Sequence, residues 1–187
     1  MREIEVKMRV ADATALEQAL ISRGCILGAP IRQEDVIYGR PDNNIYEKSK
    51  GGQIAVRIRS SDNKFLFNLK KNLSNELDNI EHELEIMDKE EMHAMLGLMG
   101  WQPVVEVKKI RRKGKLGEYE ICLDEVDGLG SYAELEKMTG DDADAALIQE
   151  KLLSEFEKLG VPKSAKEING YDTLMYRKKH GKNEKNN

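Results

Sequence analysis

Hydrophobic positions repeat with two different spacings along this chain of 187 residues. In three stretches they recur every three or four residues, which predicts amphipathic helices. These stretches are DATALEQALISRG, DKEEMHAMLGLMG and DDADAALIQEKLLSEFEKLG. Each ends on a glycine, Gly24, Gly100 or Gly160, and an apolar residue follows. A glycine in that position is typical of a left-handed helix C-cap, so the pattern predicts three helices with defined ends.

Most of the remaining chain alternates between apolar and polar residues, which indicates half-buried β-strands. The pattern predicts eight strands, at residues 3–10, 32–38, 53–60, 64–70, 81–87, 104–111, 118–124 and 132–137. A short C-terminal strand is also predicted near residues 171–176. Residues 179–187 are polar and aperiodic, so we expect one domain over residues 1–178 and a disordered tail after it. Together these elements predict an antiparallel sheet or barrel with a few helices.

Composition narrows the class of protein. The chain carries 30 Lys and Arg against 34 Asp and Glu, a formal net charge of −4. This balance argues against nucleic-acid binding through overall positive charge, although a local basic site is compatible with it. The two cysteines form no CxxC motif, so neither a disulfide framework nor a cysteine-ligated zinc site is expected. No apolar run reaches the length of a membrane span and no signal-peptide core is present, so we expect a cytoplasmic protein without a membrane partner.

The charged residues of the predicted strands follow the strand period. Residues two apart in a strand point to the same side of the sheet, so the following groups each share a face: Glu3, Glu5 and Lys7; Arg57 and Arg59; Asn68 and Lys70; Glu83 and Glu85; Lys109 and Arg111; Glu118, Glu120 and Asp124; Glu134 and Glu136. One interpretation is a sheet with one solvated face and one core face. The other is that the three helices cover the apolar face, which leaves the charged face inside a closed or cupped sheet.

A lumen with these residues has a clear chemical use. Carboxylate oxygens bind hard divalent cations such as Mg²⁺ or Mn²⁺. Arginine and lysine bind phosphate oxygens, and arginine often does so as a two-pronged donor. The chain has no Walker A loop, no kinase glycine loop and no Rossmann fingerprint. Phosphate binding would therefore depend on side chains rather than on a glycine-rich loop.

Several of these motifs together resemble a known family. Glu3, Glu5 and Lys7 match the N-terminal Glu-x-Glu-x-Lys strand of the CYTH superfamily, also called the triphosphate tunnel metalloenzymes. The stretches AVRIR, FNLKK, HELEI, VEVKKIRR and LDEVDGLGSYAELE are similar to its later strands. Within the superfamily the chain resembles the class IV adenylate cyclase branch, and the resemblance extends from about residue 3 to residue 176.

The resemblance implies an α+β fold, a closed antiparallel barrel of eight strands with a charged tunnel inside and helices packed outside. It also implies a small-molecule triphosphate substrate bound with Mg²⁺ or Mn²⁺. Cyclase members convert ATP to cyclic AMP and pyrophosphate, whereas relatives hydrolyse thiamine triphosphate or inorganic triphosphate. A tunnel that holds polyphosphate without turnover is a third alternative. Monomer and homodimer are both compatible with an internal tunnel.

The resemblance also assigns roles to residues. The metal ligands would be Glu3, Glu5, Asp124, Glu134 and Glu136. The catalytic, phosphate-binding residues would be Lys7, Arg57, Arg59, Lys70, Lys109 and Arg111. Glu83 and Glu85 would complete the triphosphate site and are weaker metal candidates.

Overall fold

The computed structural model of the protein describes residues 2–41, 46 and 52–181. Within this part of the chain the strands are β1 (Arg2–Arg9), β2 (Ile31–Gly39), β3 (Ile54–Ser61), β4 (Lys64–Asn72), β5 (Asp78–Ile86), β6 (Gln102–Leu116), β7 (Tyr119–Val126), β8 (Gly130–Thr139) and β9 (Lys166–Glu167). The α-helices are α1 (Ala13–Ser22), α2 (Lys89–Leu98), α3 (Ala145–Lys158) and α4 (Tyr171–His180). None of the helices formed by these residues combines the length and apolar character needed to span a membrane.

The sheet closes into a barrel. Hydrogen-bonded neighbours follow the order β5-β4-β3-β2-β6-β7-β8-β1, and β1 then pairs with β5. That last pairing is short and antiparallel, with Glu3 opposite Asn79 and Ile4 opposite Asp78. Further along β1, the edge is occupied by β9, which places Glu167 opposite Lys7. The closed eight-stranded antiparallel barrel predicted from the family resemblance is therefore confirmed.

Helices cover the apolar face of the barrel. Leu152 and Phe156 of α3 pack with Val6 of β1 and Leu135 of β8 in a fully buried cluster. On another side, Leu96 of α2 packs against apolar residues of β2 and β3. Because each strand alternates, this burial turns the opposite, charged set of side chains inward. Of the two interpretations of the charged faces, the structure supports the enclosed one.

The helix ends match their local sequence signals. Gly24, Gly100 and Gly160 have φ values of 79°, 82° and 83°, the left-handed region that favours glycine. After the first of these, Cys25 donates its backbone N–H to Leu20 over 3.0 Å, which is the long hydrogen bond of a Schellman motif. At the other end of the same helix, the Asp12 side chain accepts a hydrogen bond from the backbone N–H of Ala15. Local hydrogen bonds therefore fix these boundaries.

The prediction of a strand at residues 171–176 is wrong, because this segment begins α4. Its apolar residues have helical spacing, since Tyr171, Leu174 and Met175 pack in one cluster. Tyrosine and threonine favour strands locally, and tertiary packing overrides that preference. Because α4 continues to His180, the predicted domain boundary after residue 178 falls inside a helix. Residues 182–187 of the predicted tail lie outside the described residues.

Candidate active site

The barrel encloses a cavity of about 780 Å³. Its walls come from the inward-facing charged positions of the strands. Most of the residues that the sequence singled out line it: Glu3, Glu5, Lys7, Arg57, Arg59, Lys70, Glu83, Lys109, Arg111, Glu134 and Glu136. The alternation of the strands thus brings residues from six strands to one enclosed space.

Two of the predicted site residues are placed differently. Asp124 is buried and is not among the residues that line the cavity, and it accepts hydrogen bonds from Arg111 and Lys109. Glu85 shares the parity of Glu83 but lies near the end of β5, so its exposed side chain pairs with Lys64 and is not among those that line the cavity. Glu85 is therefore a surface residue.

Arg111 is the centre of a network of buried charges. Its Nε donates to Asp124 Oδ1 over 2.7 Å, and its guanidinium also pairs with Glu134. Lys7 Nζ lies 3.3 Å from the other oxygen of Glu134. Burial acts to raise the pKa of Glu134, but Arg111, Lys7 and Lys109 outweigh it and hold that pKa well below the usual value. Glu134 is consequently ionised throughout the physiological range.

The pKa values of Glu5 and Glu136 are raised, in contrast to that of Glu134. Burial raises the pKa of Glu5 to about 7, and the charge of Glu134 adds to the effect. Burial likewise raises the pKa of Glu136 to about 8, against the influence of Arg111. Glu5, Glu134 and Glu136 each offer an oxygen within 4.8 Å of the others. Three crowded carboxyls, two of which tend to keep a proton, are short of positive charge.

This donor set fits a hard divalent cation. Carboxylate oxygens are the ligands that Mg²⁺ and Mn²⁺ prefer, and a cation among them would offset the mutual repulsion. The alternative group formed by Glu120, Cys122 and Glu136 is less suitable. Burial raises the pKa of the Cys122 thiol well above its usual value, and a protonated thiol is a poor metal ligand. Within the described part of the chain, the residues that could hold a metal are therefore Glu5, Glu134 and Glu136.

The wall formed by β2 and β3 contains a buried acid that the sequence analysis did not single out. Asp35 accepts two hydrogen bonds from Arg59, with an Nε–Oδ1 distance of 2.7 Å and an Nη2–Oδ2 distance of 2.9 Å. Arg57 also reaches Asp35, at 3.3 Å. Both arginines thus face the cavity with an internal counterion. Asp35 has the same strand parity as Gln33 and Ile37, so the alternation offered a signal, but the family motif does not include it.

A similar acid pairs with Lys70 on the next strands. Lys70 Nζ lies 3.0 Å from Glu3 and 2.8 Å from Glu81. Glu81 has the parity of Glu83 on β5 but stands one residue before the HELEI motif, so the family resemblance did not include it. Burial acts to lower the pKa of Lys70, but Glu3 and Glu81 raise it, so the ammonium stays charged. Glu3 is therefore engaged with a lysine rather than with the other metal candidates.

The N-terminus of α4 forms another part of the cavity wall. The ammonium of Lys7 lies 4.1 Å from the centre of the Tyr171 ring, and that of Lys109 lies 4.8 Å from it. Glu76 holds this segment in place, accepting hydrogen bonds from the backbone N–H of Gly170 at 2.8 Å and from the Thr173 hydroxyl at 2.9 Å. Tyr171 was missed because its segment was interpreted as a strand.

Lys109, which lies next to Tyr171, has a lowered pKa. Burial lowers the pKa of Lys109 to about 8, and the neighbouring charge of Arg111 contributes in the same direction. An incoming phosphate would reverse this effect, because an anion favours the protonated ammonium. The cavity thus combines a carboxylate group suited to a cation with basic side chains suited to an anion.

Comparison with known proteins agrees with this arrangement. The chain matches the CYTH domain family over residues 1–171. It is 27% identical over 165 residues, 87% of this chain and 92% of the relative, to a Methanocaldococcus jannaschii protein that is named, provisionally, an adenylate cyclase. It is 25% identical over 173 residues, 92% of this chain and 87% of the relative, to adenylate cyclase CyaB of Aeromonas hydrophila. These two relatives support the CyaB-like branch.

Solved structures share the fold. A Pyrococcus horikoshii protein superposes with a TM-score of 0.80 at 25% identity, covering 94% of this chain and 99% of the other. A Hippeastrum protein, described as having a dominant triphosphatase activity, superposes with a TM-score of 0.63 at 17% identity and covers 95% of both chains. At that identity the second comparison concerns the fold alone.

Proposed function

Because this chain belongs to the CYTH domain family, we propose that it is a divalent-metal-dependent enzyme acting on a triphosphate-bearing substrate, and that its activity is adenylate cyclase. The observation that carries the proposal is the pairing, inside one closed barrel, of a crowded carboxylate group with a wall of buried lysines and arginines. Such a cavity matches a polyanion that enters with a cation. The names of the two relatives favour the cyclase reaction.

Each set of residues has a separate task in this reaction. Glu5, Glu134 and Glu136 would hold Mg²⁺ or Mn²⁺, which when bound lowers the pKa of an attacking hydroxyl and offsets phosphate charge. Lys7, Lys109 and Arg111 would bind and orient phosphate oxygens, together with Arg57, Arg59 and Lys70 on the opposite wall.

In the cyclase reaction the ribose 3′-hydroxyl would attack the α-phosphorus and lose its proton. The bond from that phosphorus to the bridging oxygen of the β-phosphate would break, and pyrophosphate would leave. The basic side chains would stabilise the charge that develops on the leaving oxygens. Positioning of the hydroxyl close to the phosphorus is the main requirement that the tunnel has to meet.

Hydrolysis of a triphosphate is the second candidate activity, because the buried lysines and arginines of the cavity wall suit any triphosphate. The substrate would then be thiamine triphosphate or inorganic triphosphate. A water would attack the terminal phosphorus in place of the ribose hydroxyl and lose its proton. The bond from that phosphorus to the bridging oxygen would break, so that the diphosphate would leave and orthophosphate would form. The same carboxylates and basic residues would serve both reactions, because the position of the attacking oxygen decides between them.

Product analysis distinguishes these activities. The purified protein is incubated with ATP, thiamine triphosphate or inorganic triphosphate, with Mg²⁺ or Mn²⁺, and the products are separated by chromatography. Cyclic AMP with pyrophosphate supports the cyclase, whereas orthophosphate with a diphosphate product moves the protein to the hydrolases. Glu5→Gln should abolish turnover, and Glu85→Gln, outside the cavity, should not. Binding of triphosphate without any product, in folded protein with metal present, would contradict both activities and favour a binding module.

A further inference from the structure

Tyr171 presents its ring to two cations of the cavity. It is the first residue of α4, it is buried, and it lines the cavity. The ammonium of Lys7 lies 4.1 Å from the ring centre and that of Lys109 lies 4.8 Å from it, both within the range of a cation–π interaction. Lys7 belongs to β1 and Lys109 to β6, so one ring contacts ammoniums from two separate strands.

The position of this ring is fixed by contacts that do not involve the lysines. Glu76 accepts hydrogen bonds from the backbone N–H of Gly170 and from the Thr173 hydroxyl, on either side of Tyr171 in the chain. The Tyr171 ring also meets the ring of Tyr132 edge to face, with the centroids 5.2 Å apart and an angle of 72° between the planes. The ring is therefore a fixed support for the two ammoniums.

An aromatic ring supports a cation without cancelling its charge. Elsewhere in the cavity, Arg59 is paired with the carboxylate of Asp35. Lys70 is likewise paired with Glu3 and Glu81. A carboxylate neutralises the cation beside it, so a phosphate has to compete with that carboxylate. The face of an aromatic ring attracts a cation through its quadrupole but has no net charge, so the cation stays available to an anion.

Both lysines also lie close to carboxylates. Lys7 Nζ is 3.3 Å from Glu134 and 3.8 Å from Glu5. Lys109 Nζ is 3.2 Å from Asp124. Without the ring, each ammonium would be free to move further towards these acids, because opposite charges attract strongly inside a protein. The ring opposes that movement and keeps both ammoniums within reach of an anion in the cavity.

We propose that Tyr171 is a positioning residue of the phosphate site: its ring holds the ammoniums of Lys7 and Lys109 together, without neutralising them, so that both bind the same polyphosphate. This inference rests on the proposed function, since it requires a triphosphate in the cavity. Side chains that are already in place lose less conformational freedom when the ligand binds, which strengthens binding. Tyr171 acts through the two lysines and needs no contact of its own with the substrate.

The affinity for inorganic triphosphate tests this role, measured by calorimetry without divalent metal so that turnover does not interfere. Tyr171→Leu removes the ring, Tyr171→Phe keeps it, and Tyr176→Leu is a matched control. Tyr176, on the same helix, stacks on Tyr46 and is not among the described residues that line the cavity. We expect Tyr171→Leu to weaken binding by about ten-fold, whereas Tyr171→Phe and Tyr176→Leu should bind like wild type.

A second measurement separates the electronic effect of the ring from its shape. Replacement of Tyr171 by pentafluorophenylalanine leaves a ring of similar shape but reverses the charge distribution on its face, so the face no longer attracts a cation. The triphosphate affinity should then fall below that of Tyr171→Phe, a change that a ring with only a packing role would not produce. This variant replaces Tyr171→Leu if the leucine variant does not fold.

Other outcomes separate this inference from the proposed function. If Tyr171→Leu lowers the thermal midpoint but binds triphosphate like wild type, the ring only packs α4 against the barrel, and the inference is overturned while the proposed function stands. Equal weakening in Tyr171→Leu and Tyr176→Leu would also overturn it, because the effect would then belong to the docking of α4 in general. If wild type binds no triphosphate, with or without Mg²⁺, the proposed substrate class fails together with this inference.

Discussion

Replacement of Asp35 by asparagine tests how much the buried ion pair between Asp35 and Arg59 contributes to stability. Asp35 is 4% exposed and is the counterion of Arg59, which is 7% exposed. An amide in place of this carboxylate would keep the shape but leave the guanidinium without its charge partner. Breaking a buried pair in this way costs about 3–5 kcal/mol of unfolding free energy. We expect a cost near the lower value, because Arg57, the second arginine paired with Asp35, is 18% exposed and is therefore partly hydrated. For a chain of this size that corresponds to a fall of roughly 6–12 °C in the thermal midpoint.

The loss of stability in D35N should be largest near neutral pH and smaller in acid. Burial acts to raise the pKa of Asp35, but Arg57 and Arg59 outweigh it and hold that pKa well below the usual value. Since the folded-state pKa lies below that of the unfolded chain, the stabilisation is complete above the unfolded value and is lost as the pH falls through the folded value. The difference between wild type and D35N should therefore stay constant from about pH 5 to pH 8 and shrink in acid.

Chemical denaturation with and without inorganic triphosphate provides the assay. Triphosphate should stabilise D35N more than it stabilises wild type, because phosphate oxygens replace the missing carboxylate at the two arginines. Glu85→Gln is the control, since its pair with Lys64 is solvent-exposed and its loss should not be measurable. A loss in D35N below about 1 kcal/mol, or equal stabilisation of both proteins by triphosphate, would refute the reasoning.

Further predictions concern the metal, the phosphates and the barrel closure. Mn²⁺ should bind more tightly as the pH rises from 6 to 8, because Glu5 and Glu136, with pKa values of about 7 and about 8, must lose their protons; calorimetry in two buffers would detect the released protons, and an affinity independent of pH would contradict it. Arg111→Lys loses the two-pronged donor and should lower kcat by about 100-fold in product assays, so near-normal turnover would remove Arg111 from the mechanism. Arg2→Ala breaks a buried pair with Asp78 outside the cavity, and should lower the thermal midpoint by several degrees while leaving Mn²⁺ affinity unchanged; a change in affinity would show that this pair also shapes the cavity.

The sequence by itself determined the eight barrel strands, the helices α1, α2 and α3, and the direction of the strand side chains, whereas α4 was predicted as a strand. Strand alternation placed Glu3, Glu5 and Lys7 on one face, and the same rule held for the other charged strands. The C-terminal ends of three helices were also readable, because a cap such as Gly24 acts through hydrogen bonds to residues a few positions away. The closed barrel was predicted from the family resemblance rather than from periodicity, because an open sheet with one solvated face shows the same alternation of apolar and polar residues.

Tertiary structure decided the partners and the charge states. Arg2 and Asp78 meet across 76 residues where the barrel closes, and Asp35 engages the arginines of a neighbouring strand. Glu134 and Glu136 share one motif and one face, yet the pKa of the first is lowered and that of the second is raised. Periodicity depends on residues two to four apart, which the sequence displays directly. A pKa or a counterion depends on the distances to charges from other strands, and only the folded chain sets those distances.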